Sequence, residues 1–263
     1  METRKTIGKR RFSSLVTLGV FLLLYIPIVS LIVLSFNSAR QGVMWTGFTL
    51  NWYVRLFSSP DIWRSFMNTV IVALVASTVA TIIGTLSAIG IYWYRFKSRK
   101  YFQILIYTPL IIPDILMGVS MLIFFAALKV PLGLGTVIIA HITFCISYVT
   151  IVVITRLEDF DYSVVEAARD LGARSFQVFV KVIIPIIVPG IVAGFLLSVT
   201  LSVDDFVITF FVAGPGATTL PLRIYSMIKF GVSPVINALS TLLIGGTLMT
   251  ALLARRFRKL IIG

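Results

Sequence analysis

Three carboxylates stand inside or at the ends of long apolar runs: Asp114, which follows Pro113, and the adjacent pair Asp204 and Asp205. An ionisable group deep in a bilayer costs about 2.5–3.5 kcal/mol on insertion scales, so each needs a reason to be there. A carboxylate-lined, aromatic-rich path complements a cation by charge and by cation–π contact. Organic ammonium groups resemble the lysine side chain and are cationic at pH 7. A sulfate or phosphate path would call for Arg or Lys, which the runs lack. Each acid also has a structural alternative. Asp114 could pair with His141 or with backbone loosened by Pro109 and Pro113, and Asp204 and Asp205 could cap helices near the headgroups.

Bond-making chemistry finds little material. The single histidine, His141, and the single cysteine, Cys145, exclude an intrachain disulfide. They also make a His/Cys zinc site, or the nucleophile–base set of an intramembrane enzyme, hard to build. His141 reads as a satisfied packing residue and Cys145 as a small buried apolar one. The rings of Phe124, Phe125, Phe210 and Phe211 read as packing or lipid-facing.

The elements that must position these residues are membrane helices. Of 263 residues, 58% are hydrophobic and 13% charged, against about 25% charged in a soluble domain. A formal net charge of +13 would suit a nucleic-acid binder. The basic residues, however, form short clusters between apolar runs rather than a polar face, and nucleic acid is excluded. With about 20 apolar residues needed per crossing, six spans are expected: 14–36, 66–94, 102–128, 134–155, 183–204 and 235–254. Each should be helical, because backbone groups in lipid must bond internally. The first run is too long for a signal h-region and no small-residue cleavage site follows, so it is expected to stay as a helix.

The loops alternate in charge. Arg4, Lys5, Lys9, Arg10 and Arg11 precede the first span; Arg95, Lys97, Arg99 and Lys100 follow the second; Arg156, Arg169, Arg174 and Lys181 follow the fourth; Arg255, Arg256, Arg258 and Lys259 end the chain. The other loops share only Arg40, Arg55, Arg64, Lys129, Arg223 and Lys229. The positive-inside rule then puts both termini in the cytoplasm. Trp45, Trp52, Tyr53 and Trp63 fall on the first external loop and Tyr92, Trp93 and Tyr94 at the inner face, where amphipathic rings settle. Segment 48–65 is expected to lie on the membrane surface, and segment 206–234 to hold a short amphipathic piece after Gly214-Pro215-Gly216. Ala80, Gly84 and Ala88, and Gly190 with Gly194, recur at helical spacing that lets backbones approach. Intrachain packing accounts for them, with a partner-subunit contact as the alternative.

The loop at 156–182 is the most distinctive stretch. Glu166-Ala167-Ala168-Arg169-Asp170 favours a helix, and Gly172 suits its left-handed end. A short helix, a sharp turn and a second helix leading into the membrane are expected. The pattern continues at fixed spacing to Val182, Ile184 and Pro185. It resembles the EAA motif of ABC importer permeases: Glu-Ala-Ala, three residues, Gly, nine residues, then aliphatic, any residue, aliphatic, Pro. Further stretches resemble the C-type permeases of spermidine/putrescine importers. They include Ser35-Phe36-Asn37-Ser38, Tyr94-Arg95-Phe96, Pro113-Asp114-Ile115, Ala140-His141-Ile142-Thr143-Phe144-Cys145, Leu201-Ser202-Val203-Asp204-Asp205, Leu220-Pro221-Leu222-Arg223 and Gly231-Val232-Ser233-Pro234.

That resemblance implies an all-α integral membrane chain of the type I importer fold, one permease domain over 1–263, in a bacterial inner membrane. It implies that Glu166, Ala167, Ala168, Arg169, Asp170 and Gly172 form a coupling helix docked on an ATPase subunit. It further implies a B-type permease partner, an ATPase dimer, an extracytoplasmic polyamine-binding protein, and alternating access. The chain has no Gly-x-x-x-x-Gly-Lys-Ser/Thr phosphate loop, so ATP and Mg are expected on the ATPase and no cofactor on this chain. The rival readings are an importer permease for ferric iron, thiamine or an anion, and a proton-coupled secondary transporter with Asp114 as its relay.

Overall fold

A computed structural model describes residues 2–39, 44–229 and 233–262, with side chains described between 13 and 249. The basic side chains at the N-terminus, Arg40, the basic cluster from Arg255, and Gly231-Val232 lie outside the described set.

The regular elements of the described residues are helices: α1 (Glu2–Leu34), α2 (Asn51–Phe57), α3 (Pro60–Trp93), α4 (Arg99–Ile111), α5 (Asp114–Ala127), α6 (Leu134–Glu158), α7 (Ser163–Asp170), α8 (Ser175–Val178), a π-helical turn (Phe179–Ile183), α9 (Ile184–Asp204), α10 (Val207–Val212), α11 (Leu220–Lys229) and α12 (Pro234–Ile262). The one extended pairing among the described residues is an isolated bridge between Asn37 and Phe48. Among the described residues, four helical stretches are long and apolar enough to cross a membrane: Ser13–Leu34, Pro60–Trp93, Leu134–Glu158 and Ser175–Asp204. The pair α4 and α5 makes a fifth if counted as one broken crossing, and Pro234–Met249 is a shorter apolar helix.

The run expected as a continuous span over 102–128 is instead broken. α4 and α5 meet at 114°. The cause is local. Pro113 offers no amide to the helix ladder and pushes the residue before it out of the helical region, and Ile112 is extended, with ψ 131. Hydrophobic patterning runs straight through this point, which is why length alone suggests one helix. Asp114, expected mid-span, instead opens α5. A second irregularity precedes α9. Pro185 cannot donate and its ring crowds the carbonyl four residues back, and the helix widens into the π-turn.

The chain forms two compact units. The smaller combines Met1–Pro60 with Ile224–Gly263; in it α1 and α2 pack on α12. Its turn after α1 is tied by polar groups: Asn37 Nδ2 donates to the Met44 carbonyl at 2.7 Å and Trp52 Nε1 to the Asn37 carbonyl at 2.7 Å. The larger unit, Asp61–Arg223, holds α3 through α10. Here α6 packs chiefly on α9, and α5 on α10.

The small residues serve packing inside this larger unit. A Cβ on Gly84 would stand 2.8 Å from the Val149 side chain, one on Gly190 2.7 Å from Arg156 Cβ, and one on Gly194 3.2 Å from Val149 Cγ1. The expected intrachain role is thus the observed one. The return from α10 is fastened to α3: Asn68 Nδ2 donates to the carbonyls of Gly216 and Thr218 at 2.9 and 3.0 Å, and Arg223 pairs with Asp61 at 2.8 Å. The amphipathic piece expected in segment 206–234 is α11.

Candidate functional site

Two places in the larger unit concentrate the residues singled out by sequence. The first is the helical loop around α7. Asp161 Oδ1 accepts the Ser163 amide at 2.9 Å and starts the helix. This backbone bond, with the Ser163 hydroxyl, holds the exposed Asp161 carboxyl below its ordinary pKa. The helix ends in paired bonds, Gly172 N to the Arg169 carbonyl at 2.8 Å and Ala173 N to the Ala168 carbonyl at 3.0 Å. That closure needs a left-handed residue, and Gly172 supplies it with φ 82. Arg174 then presents its amide to Gln177 Oε1 at 2.9 Å, opening α8.

One apolar residue seats α7. Val165 is buried in a cluster with Ala88 and Ile89 of α3, Val149, Val153 and Leu157 of α6, Val178, and Ile187 of α9. Trp93 adds edge contacts to Phe160 at 5.1 Å and Tyr162 at 6.1 Å. Glu166, Ala167, Arg169, Asp170 and Gly172 all stay exposed, and Ala168 is half-buried against the cluster. The loop therefore presents a charged helix on a rigid seat. Sequence reasoning missed its two most exposed large apolar residues, Leu171 at 89% and Phe176 at 76%. The signal was their position beside Gly172 and at the start of α8.

The second place is a cavity of about 270 Å³ where the two breaks converge. Pro109 and Asp114 line it from the α4–α5 break, Asp204, Asp205 and Phe206 from the α9–α10 break, and Phe144 and Tyr148 from α6. All three predicted carboxylates thus meet in one cavity. Their surroundings differ. Asp114 and Asp204 are exposed and make no hydrogen bond or ion pair among the described residues. Asp205 is engaged on both oxygens. Oδ1 accepts the Ile208 amide at 3.2 Å; Oδ2 accepts the Thr209 amide at 2.9 Å and the Thr209 hydroxyl at 2.7 Å.

His141 completes this cluster. It is fully buried. Its Nδ1 lies 2.7 Å from Ser202 Oγ, and its Nε2 lies 2.9 Å from Thr209 Oγ1 and 3.2 Å from Asp205 Oδ2. Pairing of His141 with Asp114 is therefore corrected: its acidic partner is Asp205. Ser202 and Thr209 were not anticipated, because they come from other helices; the four-residue step from Asp205 to Thr209 was the only local hint. Cys145 is buried with Sγ 3.7 Å from the Ser198 carbonyl. Among the described residues no group of three or more His, Cys, Asp or Glu could hold a metal ion.

Comparison with known proteins places this architecture. Residues 80–261 match the model of the family described as binding-protein-dependent transport system inner membrane component. The spermidine/putrescine transport system permease protein PotC of Escherichia coli is 42% identical over 86% of this chain and 86% of its own length. The putrescine transport system permease protein PotI of the same organism is 39% identical over 86% of this chain and 83% of its own. A chain of a bacterial ABC transporter that imports the acidic polysaccharide alginate superposes with a TM-score of 0.74 at 18% identity, covering 95% of this chain and 97% of its own. A chain of the MetNI methionine ABC transporter does so with 0.61 at 18% identity, covering 79% and 95%. The chain belongs to the binding-protein-dependent transport system inner membrane components: it is a multi-pass ABC importer permease subunit of the inner membrane, not an enzyme.

Proposed function

We propose that this permease carries polyamines, spermidine or putrescine, inward across the membrane by alternating access. The observation that carries the reading is the cavity itself: three carboxylates beside Phe144, Tyr148 and Phe206, at the junction of two broken spans. Irregular backbone at membrane depth occurs where it lines a cavity, and acids with rings complement a linear polycation. The names borne by PotC and PotI support the same cargo. Asp114, Asp204 and Asp205 are the path's candidate acids and give the cavity its negative wall.

One transmembrane domain spans 1–263. Six crossings, counting the α4–α5 pair as one and α12 as the last, run with both termini cytoplasmic, as the alternating basic clusters support. α7 then lies on the cytoplasmic side. Glu166, Ala167, Ala168, Arg169, Asp170 and Gly172 couple it to an ATPase homodimer, which uses ATP and Mg; this chain binds no cofactor. A B-type permease supplies the other half of the channel, and an extracytoplasmic polyamine-binding protein delivers cargo. A periplasmic protein bound to its cargo accompanies one structural neighbour, an alginate transporter with a TM-score of 0.70.

The test is uptake of labelled spermidine and putrescine in cells lacking this chain, with and without the gene restored. Uptake should return with the gene and fail with Gly172→Pro. Uptake indifferent to the gene removes the polyamine cargo and leaves an importer permease for another solute.

A further inference from the structure

Asp204 and Asp205 are neighbours in sequence and share one cavity, yet their chemistry is divided. Thr209 Oγ1 spends its only proton on Asp205 Oδ2, so towards His141 it can only accept. His141 Nε2 then donates to Thr209 Oγ1, and Nδ1 shares a hydrogen bond of 2.7 Å with the Ser202 hydroxyl. The resulting relay runs from Ser202 on α9 through His141 on α6 to Asp205 and the first turn of α10. Asp205 accepts from two backbone amides and one hydroxyl, and His141 Nε2, which is bonded to Thr209 Oγ1, flanks Oδ2 at 3.2 Å. A carboxylate offers about four lone-pair sites; three are filled and the imidazole stands over the fourth. An incoming ammonium finds Asp205 already occupied, whereas Asp204 and Asp114 face the cavity without partners among the described residues.

We propose that Asp205 is a strut, not a cargo ligand, and that His141 is the positioning residue that aims it. Together they fix where α9 stops and α10 begins, so Asp204 is held towards the cavity and works with Asp114 on the cation. This division rests on the polyamine reading for the role of Asp204, but the strut itself does not depend on the cargo.

Asparagine separates the two roles. It carries no charge and keeps one acceptor oxygen for the amides of Ile208 and Thr209, at some cost in Vmax where its NH2 replaces the second oxygen. His141 can exchange tautomers to meet whichever group of the amide faces it. In the assembled importer, Asp204→Asn should raise the KM for labelled spermidine uptake about tenfold, while Asp205→Asn should move KM less than about threefold. Asp205→Ala and His141→Ala should lower Vmax with KM little changed. Thr209→Val should act likewise and Thr209→Ser should restore Vmax. Asp205→Asn raising KM as much as Asp204→Asn overturns the proposal. Amide exchange at Ile208 and Thr209 in the same complex gives a reading independent of cargo. Faster exchange in Asp205→Ala and His141→Ala, with Asp204→Asn unchanged, supports the strut even if the unaltered importer carries neither polyamine. Exchange untouched by Asp205→Ala overturns it.

Discussion

The α7 loop and the α9–α10 break are built from opposite materials. The loop is held by apolar contact and displays polarity: Val165 is 1% exposed within its cluster, while Glu166, Arg169 and Asp170 face solvent. The break is held by polarity within an apolar run: Ser202 and Thr209 are buried and each bonded to the buried His141, and Phe210 is exposed beside them. The difference teaches what each can tolerate. An apolar seat leaves its outward face free to change with a partner's surface. A buried hydrogen-bond network leaves no member free, because each loss strands another polar group.

The largest effect that sharpens this contrast is Val165→Asp. It buries a charge with no partner, which costs several kcal/mol, and should abolish uptake and the stimulation of ATPase activity by cargo. Leu171→Asp, on the exposed side of the same loop, should leave thermal stability of the membrane-extracted chain within about 0.5 kcal/mol and weaken only ATPase capture. Equal loss of stability in both would break the comparison.

Next is Gly172→Ala. No atom lies within 4 Å of the added Cβ, so the expected cost is purely conformational, about 1–2 kcal/mol for φ 82. A matching fall in coupled transport checks it.

At the break, Ser202→Ala removes the hydrogen-bond partner of His141 Nδ1 and should cost about 1 kcal/mol of stability. Arg169→Ala, an exposed change on α7, should cost about 0.5 kcal/mol or less. Thermal unfolding of the two variants, measured in one detergent, ranks them; the reverse order would show that the network is slack.

The smallest effect concerns acid. Asp161 is held below its ordinary pKa by the Ser163 amide, so it steadies α7 above the usual carboxylate range, near pH 4. That contribution fades as pH falls through the lowered value. Asp161→Asn should remove this slight pH dependence, read as helix fraying by amide exchange at Ser163 and Val164.

How much of this was legible in the sequence follows from how far apart the partners lie. The α7 loop was readable because its start, its glycine stop and the step to Pro185 are contiguous, and its turn closes through neighbours only. The breaks were not. Val, Ile, Leu and Phe continue on both sides of Pro113, so hydropathy shows one helix where the backbone makes two. His141 is 61 residues from Ser202 and 68 from Thr209, and nothing in local spacing announces either pairing. The acids were visible as charges in apolar surroundings, but their unequal duties depend on which oxygens the fold already occupies.

The breaks have one consequence that no titration can undo. α4 and α9 both stop at the cavity, and the closing carbonyls of a helix have no amide of their own helix to meet. Each such end carries roughly half a negative elementary charge, and it is written in peptide bonds, which have no proton to gain. Acid can silence a carboxylate, but it leaves these two ends as they were. The cavity thus keeps a fixed pattern of opposed backbone charges, because α5 and α10 open at the same breaks with their positive ends, and its net sign rests with the carboxylates.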